Sequence, residues 1–166
     1  MKFIEKGSEV PEFTRWKAQA NENWQPDWDN LAGEPKLNIH RALLMEQGYI
    51  CCYCNQRIDE TNSHIEHLMP RKLYKNRELE YNNILASCQK NLKRKEPRHC
   101  GVLKDNWYDP MLMVSPLDKD CENRFRFIED GSILPASEIV SLQNKNSSGY
   151  FTPFCQILIQ ILKFYI

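Results

Sequence analysis

The sequence is short of several features that would settle its class at once. Its 166 residues carry no net charge, with 22 Lys/Arg set against 22 Asp/Glu, so total charge argues neither for a polyanion binder nor for an acidic surface. Glycine and histidine are scarce, at six and four, and no internal repeat is present, which excludes a solenoid or an array. Met1 leads straight into the charged Lys2-Phe3-Ile4-Glu5-Lys6, with no apolar signal region. Together with an odd cysteine count of seven, this makes a secreted disulfide scaffold improbable and a cytoplasmic protein with reduced thiols the expectation. The longest apolar stretch, 154–166, is broken by Gln156, Gln160 and Lys163 and is too short to span a bilayer, so a soluble protein is expected.

What is present is ordinary in amount and uneven in placement. Hydrophobic residues at 42% and charged residues at 27% fit one globular domain able to bury a core without cross-links. Of the 22 basic and 22 acidic residues, ten and three fall in 67–104, leaving twelve and nineteen elsewhere. The neutral total thus conceals a basic segment. Within it and just before it lie Cys51-Cys52-Tyr53-Cys54, His64-Ile65-Glu66-His67, Asn82-Asn83, Cys88 and His99-Cys100-Gly101.

A Cys-x-x-Cys turn presents two thiolates with little strain, and a structural zinc site takes four soft ligands in a tetrahedron. Cys51, Cys54, Cys88 and Cys100 supply that set, with Cys52 an alternative to Cys51 and His99 an alternative to Cys100. Cys121 and Cys155 lie outside the cluster and read as small buried hydrophobes. Four protein ligands leave no open position, so this zinc would contribute folding energy rather than chemistry.

Phosphodiester hydrolysis needs a cation at the phosphate, a base to activate water and a group to hold the base. Glu66 can bind a hard cation such as Mg²⁺ or Mn²⁺, His67 can take a proton near neutral pH, and Asn83 can orient the imidazole. On a strand, Glu66 and His67 point to opposite sides. Arg71, Lys72, Lys75 and Arg77, with Lys90, Lys93, Arg94, Lys95 and Arg98, are candidates for non-specific, salt-sensitive phosphate contacts.

The remaining chain supplies a frame. Pro11 opens a first helix, and residues 22–34 read as a loop pinned by Trp24 and Trp28, with core packing favoured over base stacking. Residues 37–47 form a helix stopped by Gly48, with His40 on it structural or exposed. Residues 49–51 and 56–58 are the arms of a zinc knuckle. Residues 64–68 form a brief strand ended by Pro70, and 83–88 start a helix or turn. The 124–128 alternation, Asp130-Gly131 and Ile133-Leu134 give a β-hairpin. Residues 136–150 read as a linker, and 153–166 as a helix whose apolar face docks a partner.

The order Cys51-x-x-Cys54, Glu66-His67-x-x-Pro70, Asn83 and Cys88 resembles the HNH endonucleases. The longer pattern, from Lys2-x-Ile4 through the Trp16 region, 46–54, 64–67 and 99–101 to Asp130-Gly131, is similar to the HNH component of Septu-type and retron-associated anti-phage systems. The resemblance covers roughly 1–135. It implies an α+β fold with a zinc-supported ββα-metal core (49–109), preceded by a helical region (1–48) and followed by a hairpin segment (110–135), within a single nuclease domain. It further implies His67 as general base, Glu66 as catalytic-cation ligand and Asn83 as the residue orienting His67. The implied partners are an ABC-type ATPase subunit and, in retron systems, a reverse transcriptase with its RNA and DNA. The implied substrate is DNA or a structured RNA such as tRNA. Where many HNH enzymes place a second cation ligand after the fourth cysteine, this chain has Gly101; Asn106, Asp105, His64 or solvent could complete the shell. A non-catalytic zinc module that binds nucleic acid or a partner is the alternative.

Overall fold

A computed structural model describes residues 1–127, 129 and 133–136. Two helices come first, α1 (Pro11–Lys17) and α2 (Gly33–Glu46). A two-stranded antiparallel sheet follows, formed by β1 (Ser63–His67) and β2 (Ile84–Cys88), then a short helix α3 (Cys100–Lys104). A second antiparallel pair, β3 (Phe125–Phe127) and β4 (Ile133–Pro135), lies near the end of the described chain. The expected Asp130-Gly131 turn, all but the first residue of the expected 136–150 linker, the C-terminal helix and Cys155 fall outside the described residues. Among the described residues, no helix is long and apolar enough to cross a membrane.

Pro11 sits in the first turn of α1, where its missing N–H costs nothing, and Phe13 and Trp16 are the buried face. Helix α2 begins at Gly33, earlier than the expected residue 37, and buries Ile39, His40, Leu43 and Leu44. Its end is a Schellman motif. Gly48 adopts φ +63°, its N–H reaches the Met45 carbonyl at 3.0 Å, and the Tyr49 N–H reaches Leu44 at 2.8 Å.

The segment expected to start a helix or turn at 83–88 divides in two. A 3₁₀ turn over Tyr81–Asn83 leads into β2, whose five residues are all buried. A short apolar run reads alike as buried helix or strand, and pairing with β1 decides it. The outer edge of β2 is closed by a side chain. Gln47 donates to the Ala86 carbonyl (2.9 Å) and accepts from the Ala86 N–H (2.7 Å), while the Cys52 N–H also reaches that carbonyl (3.1 Å). Helix α2, the knuckle and the sheet are therefore tied at one backbone position, leaving no orphaned amide.

Candidate metal and hydrolytic site

The expected knuckle forms around Cys51 and Cys54. Its arms meet at an Ile50–Arg57 bridge, with Cys51 N–H to Gln56 O at 2.8 Å and Ile58 N–H to Tyr49 O at 2.9 Å. The end of β2 and the start of α3 bring Cys88 and Cys100 alongside. The Sγ atoms of Cys51, Cys54, Cys88 and Cys100 all lie within 4.8 Å of one another, with Cys54 and Cys88 3.9 Å apart. A tetrahedral zinc with Zn–S of about 2.3 Å separates its sulfurs by about 3.8 Å, so this donor set fits zinc. The Cys88 N–H points at the Cys51 sulfur (3.4 Å), as suits a thiolate.

The sulfurs that converge are those of Cys51, Cys54, Cys88 and Cys100. Cys52 is not one of the four converging sulfurs but neighbours Cys51, and burial followed by that hydrogen-bonded neighbour pushes its thiol well up, toward a proton-bearing state. His99 is a neighbour, its Nδ1 3.2 Å from the Cys100 sulfur and 3.6 Å from that of Cys88, while Cys100 takes the fourth corner.

Alternation along β1 puts His64 and Glu66 on one face and Ser63, Ile65 and His67 on the other. Glu66 is buried, 8% exposed, against α3 and the knuckle. Lys104 donates to its Oε1 at 2.9 Å and the Tyr53 hydroxyl reaches the same oxygen at 3.3 Å, while His64 Nε2 stands 3.6 Å from Oε2. Burial alone would raise this carboxyl, yet the His64 imidazole and the Lys104 charge hold it below its ordinary value, so Glu66 is anionic at neutral pH.

His67, 9% exposed, packs edge-on against Trp28 with ring centroids 4.3 Å apart. Its Nε2 lies 3.0 Å from the Glu78 carbonyl. A carbonyl only accepts, so Nε2 carries the proton and Nδ1 keeps the lone pair. Burial lowers the His67 pKa against the pull of that carbonyl, leaving a neutral imidazole at pH 7.

The Asn83 carboxamide makes no hydrogen bond to the imidazole. Its carboxamide accepts from Met69 N–H (2.8 Å) and donates to the Met69 and Arg77 carbonyls (both 3.0 Å), pinning the loop that delivers the Glu78 carbonyl to His67. His40 is buried and bonds the Ser63 hydroxyl at 2.8 Å, a structural role.

The basic residues divide into two sets. Arg71 is ion-paired with Asp29, and Lys75 lies 2.9 Å from Glu78 and 3.8 Å from Asp29, so these cations are already partly matched. Lys72, Lys93, Arg94 and Lys95 are exposed. A cleft of about 650 Å³ is lined by Arg57, Asn62, Gln89 and His99 among others and, of this second set, by Lys93; neither Glu66 nor His67 lines it.

In the sequence Lys104 is one more cation of the basic stretch, yet in the fold its side chain has no exposed surface and pairs with Glu66. Its spacing of four from Cys100 puts the two on one helical face, and that was the available signal. Trp28 and Glu78, which frame His67, carry no local signal at all.

These features define an α+β domain with four converging cysteines that could hold a metal and, on successive residues of its first strand, an anionic carboxylate and a neutral imidazole. No protein-family model matches the chain. It is 31% identical over 132 residues to the protein assigned as the HNH endonuclease of retron Vc95 in Vibrio cholerae serotype O1 biovar El Tor, covering 77% of this chain and 61% of that protein. It is also 28% identical over 76 residues to Septu protein PtuB of Bacillus thuringiensis, covering 45% of this chain and 29% of that protein. Both similarities support an HNH-type protein of anti-phage defence systems. The matched region spans less than two thirds of either relative's length.

Proposed function

We propose that this chain is a metal-dependent HNH endonuclease subunit of an anti-phage system, hydrolysing phosphodiester bonds in DNA or in a structured RNA such as tRNA. The observation that carries this reading is His67. It is a neutral imidazole whose Nε2–H is fixed on the Glu78 carbonyl, leaving Nδ1 as a base beside an anionic carboxylate on the preceding residue. The antiparallel pair β1–β2 followed by α3 is the order of a ββα core, with the four thiols as its zinc scaffold. A divalent cation held by Glu66 would polarise the scissile phosphate. His67 would take the proton of the attacking water at Nδ1, and Asn83 would keep the Glu78 loop in place. Lys72, Lys93, Arg94 and Lys95 would bind backbone phosphates without reading sequence. The proposed partners, an ABC-type ATPase and in a retron setting a reverse transcriptase with its RNA and DNA, follow from the resemblance to Septu-type and retron-associated components.

The second reading, a zinc-stabilised module that only binds nucleic acid or a partner, is favoured by Gly101 standing where a cation ligand is expected. His67→Ala separates the two. Cleavage of a mixed DNA and tRNA panel is measured with Mg²⁺ or Mn²⁺, with and without the ATPase, alongside zinc content. Loss of the base should slow cleavage by about 10²–10⁴-fold with zinc retained. Wild-type protein that binds zinc and cuts nothing even with its partner would leave the binding module standing.

A further inference from the structure

Gly101 shapes the carboxylate site by what it lacks. A Cβ placed on it would lie 2.5 Å from Glu66 Oε2, 2.9 Å from Glu66 Cδ and 3.0 Å from Ser87 Oγ. Its backbone requires no positive φ, so glycine is needed here for clearance rather than for conformational freedom. The carboxylate of Glu66 rests directly over the first turn of α3 because residue 101 has no side chain.

That placement makes the two carboxylate oxygens unequal. Oε1 is committed to the Lys104 ammonium and the Tyr53 hydroxyl. Oε2 faces His64 Nε2 at 3.6 Å, beyond a good hydrogen bond. Two donors about 2.1 Å from one cation are separated by about 3.0 Å at right angles and about 3.4 Å in a tetrahedron. The observed gap is therefore close to that of two ligands flanking one ion. The His64 side chain is 28% exposed while that of Glu66 is 10% exposed, so the pair opens to solvent on the histidine side.

We propose that His64 Nε2 and Glu66 Oε2 together bind one exchangeable divalent cation, with Lys104 as the residue that positions the carboxylate and Gly101 as the clearance that lets it lie there. This rests on the reading of Glu66 as a cation ligand and adds its partner and its metal preference. A mixed imidazole–carboxylate pair suits Mn²⁺, Co²⁺ or Ni²⁺ better than Mg²⁺, which prefers oxygen donors throughout. Two protein ligands leave the other positions to water and to a phosphate oxygen. The Lys104 charge already balances that of Glu66, so the ion is held weakly and exchanges freely.

The test is Mn²⁺ binding to the zinc-loaded protein, read from the loss of the free-Mn²⁺ electron paramagnetic resonance signal, with zinc content and circular dichroism as controls. Wild type should bind one Mn²⁺ per chain, with Mg²⁺ competing poorly. His64→Ala should weaken Mn²⁺ binding about tenfold or more with zinc and fold retained. Gly101→Ala, which pushes the carboxylate aside, should weaken it as well. Should Glu66→Gln fail to fold, the partly exposed His64 position still decides the matter. Wild-type protein that binds no Mn²⁺, or His64→Ala with unchanged affinity, overturns the proposal even if the protein cuts nucleic acid. Mn²⁺ binding that depends on His64, in a protein that cuts nothing, supports this site and sinks the nuclease reading instead.

Discussion

Replacing Lys104 by methionine tests the buried ion pair at the heart of the site through stability alone, independent of any activity. The side chain keeps its bulk and loses its ammonium. In the native protein Nζ donates to Glu66 Oε1 and to the His67 carbonyl, each at 2.9 Å, with no exposed surface on the lysine side chain. The variant leaves an anionic carboxylate buried with only the Tyr53 hydroxyl at 3.3 Å and His64 at 3.6 Å, and a carbonyl short of its donor. Breaking one side of a buried pair costs about 3–5 kcal/mol, a large share of the roughly 5–15 kcal/mol that holds a domain together. Glu66→Gln should also be costly, because it strands the ammonium. The double variant, with no buried charge left, should recover most of the loss and return to within about 1 kcal/mol of wild type. The assay is urea unfolding of zinc-saturated protein followed by tryptophan fluorescence, completed as a double-mutant cycle. A Lys104→Met cost below about 1 kcal/mol, or a double variant whose cost is the plain sum of the two single ones, would refute the account of this pair.

Removing the structural metal should unfold the core rather than only silence it. Cys88→Ala or strong chelation should abolish the cooperative urea transition, since zinc binding in small thiolate sites is worth about 10–16 kcal/mol; a variant with wild-type unfolding would exclude the four-thiol scaffold. His40 links stability to pH. Burial, then the nearby Lys90 charge and that of His64, lower its pKa against the opposing pull of Glu60. Its contribution is thus complete above the unfolded value of about 6.5 and is lost as pH falls toward the folded one. Between pH 7.5 and 5.5 the wild type should lose more stability than His40→Gln, and equal losses would remove His40 as the cause. Asp29 occupies the cations of Arg71 and Lys75, so Asp29→Ala should tighten nucleic-acid binding and steepen its salt dependence by about one unit of slope. Unchanged binding would mean that these cations do not meet phosphate.

The local signals in the sequence were sufficient for the knuckle, α1, the stop of α2 at Gly48, and the adjacent acid and histidine, Glu66 and His67, on β1. Each depends on residues within a few positions of one another. A Cys-x-x-Cys turn, a proline in a first helical turn and a glycine at a helix end act through the backbone of their own neighbourhood. Strand β2 was not legible because Ile84-Leu85-Ala86-Ser87-Cys88 has no polar alternation; it is buried throughout and becomes a strand by pairing with β1. The choice of Cys51 over Cys52 and of Cys100 over His99 likewise waited on where four sulfurs converge.

The linear chain by itself determined which chemical groups this protein carries and their order: four thiols, an acid–histidine pair and a basic segment. Tertiary structure alone decided their states. Trp28, 39 positions before His67, and Glu78, 11 positions after it, bury and orient the imidazole, and Asn83 acts by holding the loop rather than the ring. Lys104 changes from one more cation in a basic run to the counter-charge of Glu66, 38 positions away. Proton affinity and ligand geometry depend on distance and dielectric, and folding sets both by bringing remote side chains into contact while excluding water.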